Sequence, residues 1–105
     1  MTAANRLPDT RIGRCLRRHR AAIIELAAKH GAHDIRVFGS VARGEDTDTS
    51  DIDLLVNVDH GVGLVSLAGL RRELTELLGA DVDVVPASTL KPTLRDAVLA
   101  EAIIL

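Results

Sequence analysis

The most unusual property of this sequence is its lack of aromatic side chains. Phe38 is the only Phe, Tyr or Trp among 105 residues. Proteins that bind single-stranded nucleic acid by base stacking need several aromatic faces, so the composition argues against that class. For the same reason, a nucleotide base could not be held between two aromatic rings.

Cysteine and long apolar runs are also scarce. Cys15 has no second cysteine to pair with, so we expect no internal disulfide and a reducing, cytoplasmic location. No apolar run approaches the roughly 18 residues of a membrane span, and the N-terminus lacks the apolar core of a secretory signal. We expect one domain over residues 1–105, with no room for a separate acceptor-binding domain.

Charge is distributed unevenly, although the net charge is only −2. The basic group near the N-terminus comprises Arg11, Arg14, Arg17, Arg18 and Arg20, and the central acidic group comprises Glu45, Asp46, Asp48, Asp51, Asp53 and Asp59. Such asymmetry is typical of a functional surface, but a solvated helix face would look the same. The pattern alone leaves both interpretations open.

Hydrophobic periodicity and turn residues predict alternating helices and strands. The predicted helices cover residues 9–30, 64–78 and 93–102, with a single helical turn at 41–43, and the predicted strands cover 35–38, 51–58 and 81–85. Asp9 or Thr10 could cap the first helix, and Gly31 could end it. The expected fold class is α/β, a small mixed β-sheet flanked by helices.

The motif with the clearest chemistry is Gly39-Ser40, followed after ten residues by Asp51-Ile52-Asp53. Alternate strand residues share a face, so Asp51 and Asp53 would project together with Cα atoms roughly 7 Å apart. Two such carboxylates suit Mg²⁺, which would also relieve their mutual repulsion. A bound cation would further neutralise a triphosphate, so the motif predicts a metal-dependent nucleotide site.

Other residues could complete this site. Glycine lets phosphate oxygens approach the backbone, Ser40 adds a hydroxyl and an N–H, and Arg43 lies one turn later, where it could reach a phosphate. A third carboxylate would come from the last strand, where Asp81 and Asp83 share a face. Spacing alone does not choose between these two residues.

Three segments resemble the DNA polymerase β-like nucleotidyltransferase superfamily. They are FGSVARG at residues 38–44, SDIDLLV at 50–56 and VDVVP at 82–86. More narrowly, the chain resembles the minimal nucleotidyltransferases of the MntA type, which are antitoxins encoded beside HEPN-domain toxins. The last segment matches the family's third acidic residue and selects Asp83 over Asp81.

The resemblance implies a polymerase β-like fold and a specific reaction. Asp51 and Asp53 would hold two Mg²⁺ ions, Asp83 would complete the metal site and help to activate the acceptor hydroxyl, and Gly39 and Ser40 would bind the triphosphate. The family transfers AMP from ATP to a tyrosine of the partner HEPN ribonuclease toxin, which is thereby inactivated in a type VII toxin–antitoxin system. Since this chain contains no tyrosine, its acceptor would lie on another protein.

Two other functions stay open at this point. The protein could be a non-catalytic antitoxin that neutralises the toxin by binding it, through the N-terminal arginines and the apolar C-terminus. It could also modify a small molecule, although the short chain argues against this. The four histidines lack metal-binding spacing, Arg71 and Arg72 are predicted on a solvated helix face, and no direct contact with nucleic acid or a membrane is expected.

Overall fold

Four helices and four strands make up the part of the chain that the computed structural model describes, residues 7–105. The helices are α1 (Arg11–Arg18), α2 (Arg20–Lys29), α3 (Leu64–Leu78) and α4 (Pro92–Glu101). The strands are β1 (Ala32–Phe38), β2 (Ile52–Val58), β3 (Val82–Pro86) and β4 (Ile103–Ile104), and a 3-10 turn spans Ala87–Thr89. The predicted mixed α/β fold is confirmed.

The predicted first helix is divided into α1 and α2 at His19. Thr10 caps α1, since its hydroxyl accepts a hydrogen bond from the Gly13 N–H at 3.0 Å. The His19 N–H still donates to the Cys15 carbonyl at 3.0 Å, and the His19 carbonyl accepts the Ile23 N–H at 2.9 Å. Helical hydrogen bonding therefore continues through the interruption, and periodicity alone did not reveal it.

The sheet has the strand order β3-β2-β1-β4. β1 pairs antiparallel with both β2 and β4, whereas β2 and β3 are parallel and are connected through α3. β1 begins at Ala32, earlier than predicted. A register shift between His33 and Arg36 interrupts the alternation of the strand, so the sequence pattern did not reveal its first residues. Asp34 lies within that shift at φ +51°. β4 was not predicted, since two residues are too few to show a period.

The hydrophobic core lies between the sheet and helices α1, α2 and α3. Ile52, Leu54 and Val56 form the core-facing side of β2, and all three are buried as the alternation predicted. Leu70 and Leu74 of α3 are fully buried in the same cluster. No helix within residues 7–105 is long and apolar enough to cross a membrane.

Candidate active site

Two of the predicted carboxylates lie on neighbouring strands of the sheet, Asp53 on β2 and Asp83 on the edge strand β3. In the register of the sheet, Asp53 is opposite Phe38 of β1 on one side and opposite Asp83 of β3 on the other. Neighbouring strands are about 4.8 Å apart, so Asp53 and Asp83 stand side by side. Asp51 lies immediately before the first residue of β2 and is exposed, whereas Asp53 is half-buried.

Gly39 brings the candidate phosphate-binding loop, residues 39–43, directly against the Asp53 carboxylate. Its φ of +76° lies in the left-handed region, which glycine adopts without steric cost. A Cβ atom at this position would lie 3.4 Å from Asp53 Cγ and would overlap Asp53 Oδ2. The glycine is therefore required both by its backbone conformation and by the space that the Asp53 carboxylate occupies.

The loop after Gly39 is closed by its own hydrogen bonds. The Arg43 N–H donates to the Gly39 carbonyl at 3.2 Å, the Gly44 N–H to Val41 at 3.1 Å, and the Glu45 N–H to Ser40 at 2.9 Å. The predicted single helical turn is thus a hydrogen-bonded turn and not a helix. It places Ser40 next to Gly39 and Arg43 one turn later.

The carboxylates repel one another electrostatically. Partial burial raises the pKa of Asp53 above its ordinary value, and the charges of Asp83 and then Asp51 raise it further, while Arg43 opposes these effects. Within residues 7–105, neither Asp51 nor Asp53 forms an ion pair with a basic side chain. A divalent cation would satisfy this uncompensated negative charge.

Arg71 is the first site neighbour that sequence reasoning missed. It was predicted on a solvated face of α3, but its Nη2 lies 3.3 Å from Asp83 Oδ1. The predicted solvated position is confirmed, since Arg71 is exposed. The contact with Asp83 was not foreseen, because it depends on α3 packing beside β3. Both side chains remain about half exposed, at 60% and 48%, so the pair is an accessible one.

The carboxylates of Asp51, Asp53 and Asp83 suit Mg²⁺ chemically, although their side chains do not converge on one point. As the side chains stand, no three Asp, Glu, His or Cys residues among positions 7–105 converge on a point where an ion could bind. Carboxylate oxygens are nevertheless the ligands that Mg²⁺ prefers. Asp83 would have to turn from Arg71 toward Asp53 to join such a site, and its exposure leaves room for that rotation.

Glu101 is the second residue that sequence reasoning missed. Its Oε1 accepts a hydrogen bond from the Gly39 backbone N–H at 3.1 Å. The same carboxylate accepts hydrogen bonds from Arg43 Nη1 at 3.3 and 3.2 Å, one to each oxygen. The one sequence signal that could have indicated this contact was the apolar end of the chain, Ile103-Ile104-Leu105. Interpreted as a strand beside β1, it would have placed Glu101 near Gly39.

A groove of about 410 Å³ opens on the Asp51 side of the sheet. It is lined by Asp48, Thr49, Ser50, Asp51, Thr75, Gly79, Ala80 and Asp81. Asp81 is exposed there, and its backbone carbonyl accepts the Ile52 N–H at 2.9 Å. Asp81 therefore shares this groove with Asp51, whereas Asp53 and Asp83 do not line it.

The N-terminal arginines and the histidines were predicted to lie on the surface or at helix ends. Arg11 pairs with Asp48 at 3.1 Å, with both side chains more than three-quarters exposed, as expected for a solvated helix face. His30 caps the C-terminus of α2, is mostly buried, and forms a hydrogen bond with Glu73 that joins α2 to α3. It is a helix-end residue, as predicted, but it is not a freely solvated one.

Comparisons with known proteins agree with this geometry. The model of the nucleotidyltransferase domain family matches residues 17–105. The protein adenylyltransferase MntA of Thermococcus cleftensis is 39% identical over 79 residues, which are 75% of this chain and 80% of that protein.

Solved structures show the same fold. A structure described as a candidate minimal nucleotidyltransferase superposes with a TM-score of 0.83 at 47% identity, covering 92% of this chain and 98% of the other. A toxin–antitoxin crystal structure with AMP-PNP superposes with a TM-score of 0.70 at 26% identity, covering 80% of this chain and 69% of the other. The chain therefore belongs to the nucleotidyltransferase domain family and has the fold of its minimal members.

Proposed function

We propose that this protein is the antitoxin of a type VII toxin–antitoxin system and transfers AMP from ATP to a tyrosine of a HEPN ribonuclease toxin, which inactivates the toxin. The observation that carries the proposal is the contact between the Gly39 backbone and the Asp53 carboxylate, with Asp83 on the neighbouring strand. This contact places the proposed phosphate-binding loop next to the carboxylates that would bind metal. The MntA relative and the toxin–antitoxin structure with AMP-PNP support it.

Each site residue has a role in this proposal. Gly39 and Ser40 bind the triphosphate, and Arg43 pairs with a phosphate oxygen. Asp51, Asp53 and Asp83 would hold two Mg²⁺ ions, which when bound neutralise the triphosphate and stabilise the charge that develops in the transition state.

The acceptor is a tyrosine hydroxyl of the toxin. Its oxygen forms a bond to the α-phosphorus of ATP, the bond between that phosphorus and the bridging oxygen to the β-phosphate breaks, and pyrophosphate leaves. The hydroxyl proton passes to the Asp83 carboxylate, which must first leave Arg71. The reaction takes place in a single domain, residues 1–105, in the cytoplasm.

The test is direct transfer to the partner. The protein is incubated with ATP, Mg²⁺ and the HEPN protein encoded beside it, and the intact mass of the toxin is measured. We expect the addition of AMP by wild type and by the control variant Asp96→Asn, whose carboxylate is exposed on α4. Asp53→Asn should add none, because it removes a metal ligand while preserving the shape of the side chain.

Two results would overturn the proposal. One is an unmodified toxin after incubation with wild-type protein that binds it. The other is full protection of cells by the double variant Asp51→Asn, Asp53→Asn, because neutralisation would then depend on binding alone.

A further inference from the structure

The last strand of the chain brings Glu101 to the phosphate loop. β4 pairs antiparallel with β1, with Val37 opposite Ile103 and Arg36 opposite Ile104. Glu101 is the last residue of α4, two positions before β4 begins. The pairing of β4 with β1 therefore holds the end of α4, and with it Glu101, close to Gly39, although these two residues are 62 apart in sequence.

One carboxylate holds both ends of the loop. Glu101 Oε1 accepts the Gly39 N–H at 3.1 Å, and the two Glu101 oxygens accept from Arg43 Nη1 at 3.3 and 3.2 Å. The Arg43 N–H also donates to the Gly39 carbonyl at 3.2 Å. Residues 39–43 are thus tied to the end of α4 through a main-chain and a side-chain donor.

The same contacts fix the orientation of the Arg43 guanidinium. Nε donates to Glu45 at 2.8 Å, and Nη1 donates to Glu101. A guanidinium has five N–H donors in a rigid fork, and this arrangement uses the Nε and Nη1 sides. Among residues 7–105 no side chain uses Nη2, so that side of the guanidinium is left for a phosphate. The Arg43 charge already acts on neighbouring Asp53.

These contacts contribute little to stability. Arg43 and Glu101 are 47% and 33% exposed, and ion pairs at such exposure gain little net free energy in water. Holding a long side chain in its binding conformation, however, lowers the entropy lost when the ligand arrives. The arrangement is thus suited to preparing a binding site rather than to holding the fold together.

We propose that Glu101 is a positioning residue for the nucleotide: it orients Arg43 and the Gly39-Ser40 backbone toward the triphosphate. This inference rests on the proposed function, because it assigns a supporting role within the same site. It predicts that removing the Glu101 charge weakens nucleotide binding without slowing the transfer step at saturating ATP.

The variant Glu101→Gln tests this, with Glu76→Gln on an exposed position of α3 as the matched control. Calorimetry gives the Kd for ATP in Mg²⁺, and transfer assays on the toxin give KM and kcat. We expect Kd and KM to rise about tenfold in Glu101→Gln, the size of one lost charge-assisted contact. We expect kcat and Tm to stay at the wild-type values, and Glu76→Gln to change none of these quantities.

A double variant tests whether Glu101 affects ATP binding through Arg43 or independently of it. In an Arg43→Ala background, Glu101→Gln should weaken ATP binding by clearly less than it does in wild type, because its main route of action is gone. An unchanged Kd in Glu101→Gln would overturn the inference. So would a fall in Tm without a change in Kd, or a fully additive double variant.

The two proposals fail in different ways. If wild-type protein binds Mg·ATP but never modifies the toxin, the proposed function is wrong, and the Kd ratio alone still decides the role of Glu101. If wild-type protein binds no Mg·ATP at all, both proposals are wrong.

Discussion

Replacing Gly39 by alanine would test whether the phosphate loop and the carboxylates form one site. The new Cβ would enter the space of the Asp53 carboxylate and lie 3.4 Å from its Cγ. Because that space is filled, either Asp53 rotates away or the loop moves outward. Both responses separate the residues that the proposed reaction needs together.

The cost can be estimated from two separate effects. An alanine held at the left-handed φ of +76° costs about 1–2 kcal/mol in free energy of unfolding. Forcing Asp53 off its rotamer adds about 0.5–1.5 kcal/mol. The sum, about 1.5–3.5 kcal/mol, lowers Tm by about 4–8 °C for each kcal/mol in a domain of this size.

The effect on catalysis should be larger than the effect on stability. Displacing a reacting group by about 1 Å can cost about 100-fold in rate. Gly61→Ala is the matched control, since Gly61 has a similar φ of +88° and no atom lies within 4 Å of the point that its new Cβ would occupy. It should lose about 1–2 kcal/mol of stability from backbone strain and retain wild-type transfer of AMP.

Urea denaturation and the AMP-transfer assay would measure both effects. Gly39→Ala should lose more stability than Gly61→Ala and about 100-fold in transfer rate, measured below its Tm. Equal stability losses combined with full activity would refute the reasoning. Such a result would mean that Asp53 does not need the position beside Gly39.

Three further predictions concern the core, the His30–Glu73 pair and the proposed metal site. Leu70→Ala, at a fully buried position, should cost about 2–5 kcal/mol in urea denaturation; a loss below about 1 kcal/mol would contradict its place in the core. The pKa of Glu73 is lowered in the folded protein, mainly by its hydrogen bond with His30. The ionised Glu73 therefore stabilises the folded state fully above its unfolded pKa of about 4.5, and this contribution is lost as pH falls through the lower folded pKa. The stability difference between wild type and Glu73→Gln should therefore shrink in acid, and a difference that grows would contradict the assignment. Arg71→Ala frees Asp83, so half-maximal transfer should need less Mg²⁺ with a stability change below about 1 kcal/mol; a higher Mg²⁺ requirement would show that Arg71 supports the site instead of competing with it.

Local sequence patterns predicted the central elements well. The bounds of α3 were correct because its leucine period is regular and Gly79, at φ +68°, ends it locally. β2 and β3 were right to within a residue, since both are short segments rich in Val, Ile and Leu that turn residues bound. The break at His19, the early start of β1 and the existence of β4 escaped prediction, because each depends on contacts with other parts of the chain.

The sequence by itself determined the fold class and the chemistry that this protein brings to a site. The Gly39-Ser40 pair, its spacing from Asp51 and Asp53, and an aspartate on the third strand are local patterns that need no tertiary information. Their roles in catalysis stay predictions that the experiments above would test.

Only the tertiary structure decided which other side chains surround these residues. Glu101 reaches Gly39 because β4 adds to the edge of β1, and Arg71 reaches Asp83 because α3 packs beside β3. Contacts between distant residues depend on strand register and helix packing, and neither residue stands in a local pattern that would reveal its partner. The motif identifies the groups that would bind metal and phosphate, and the folded sheet determines how those groups are held.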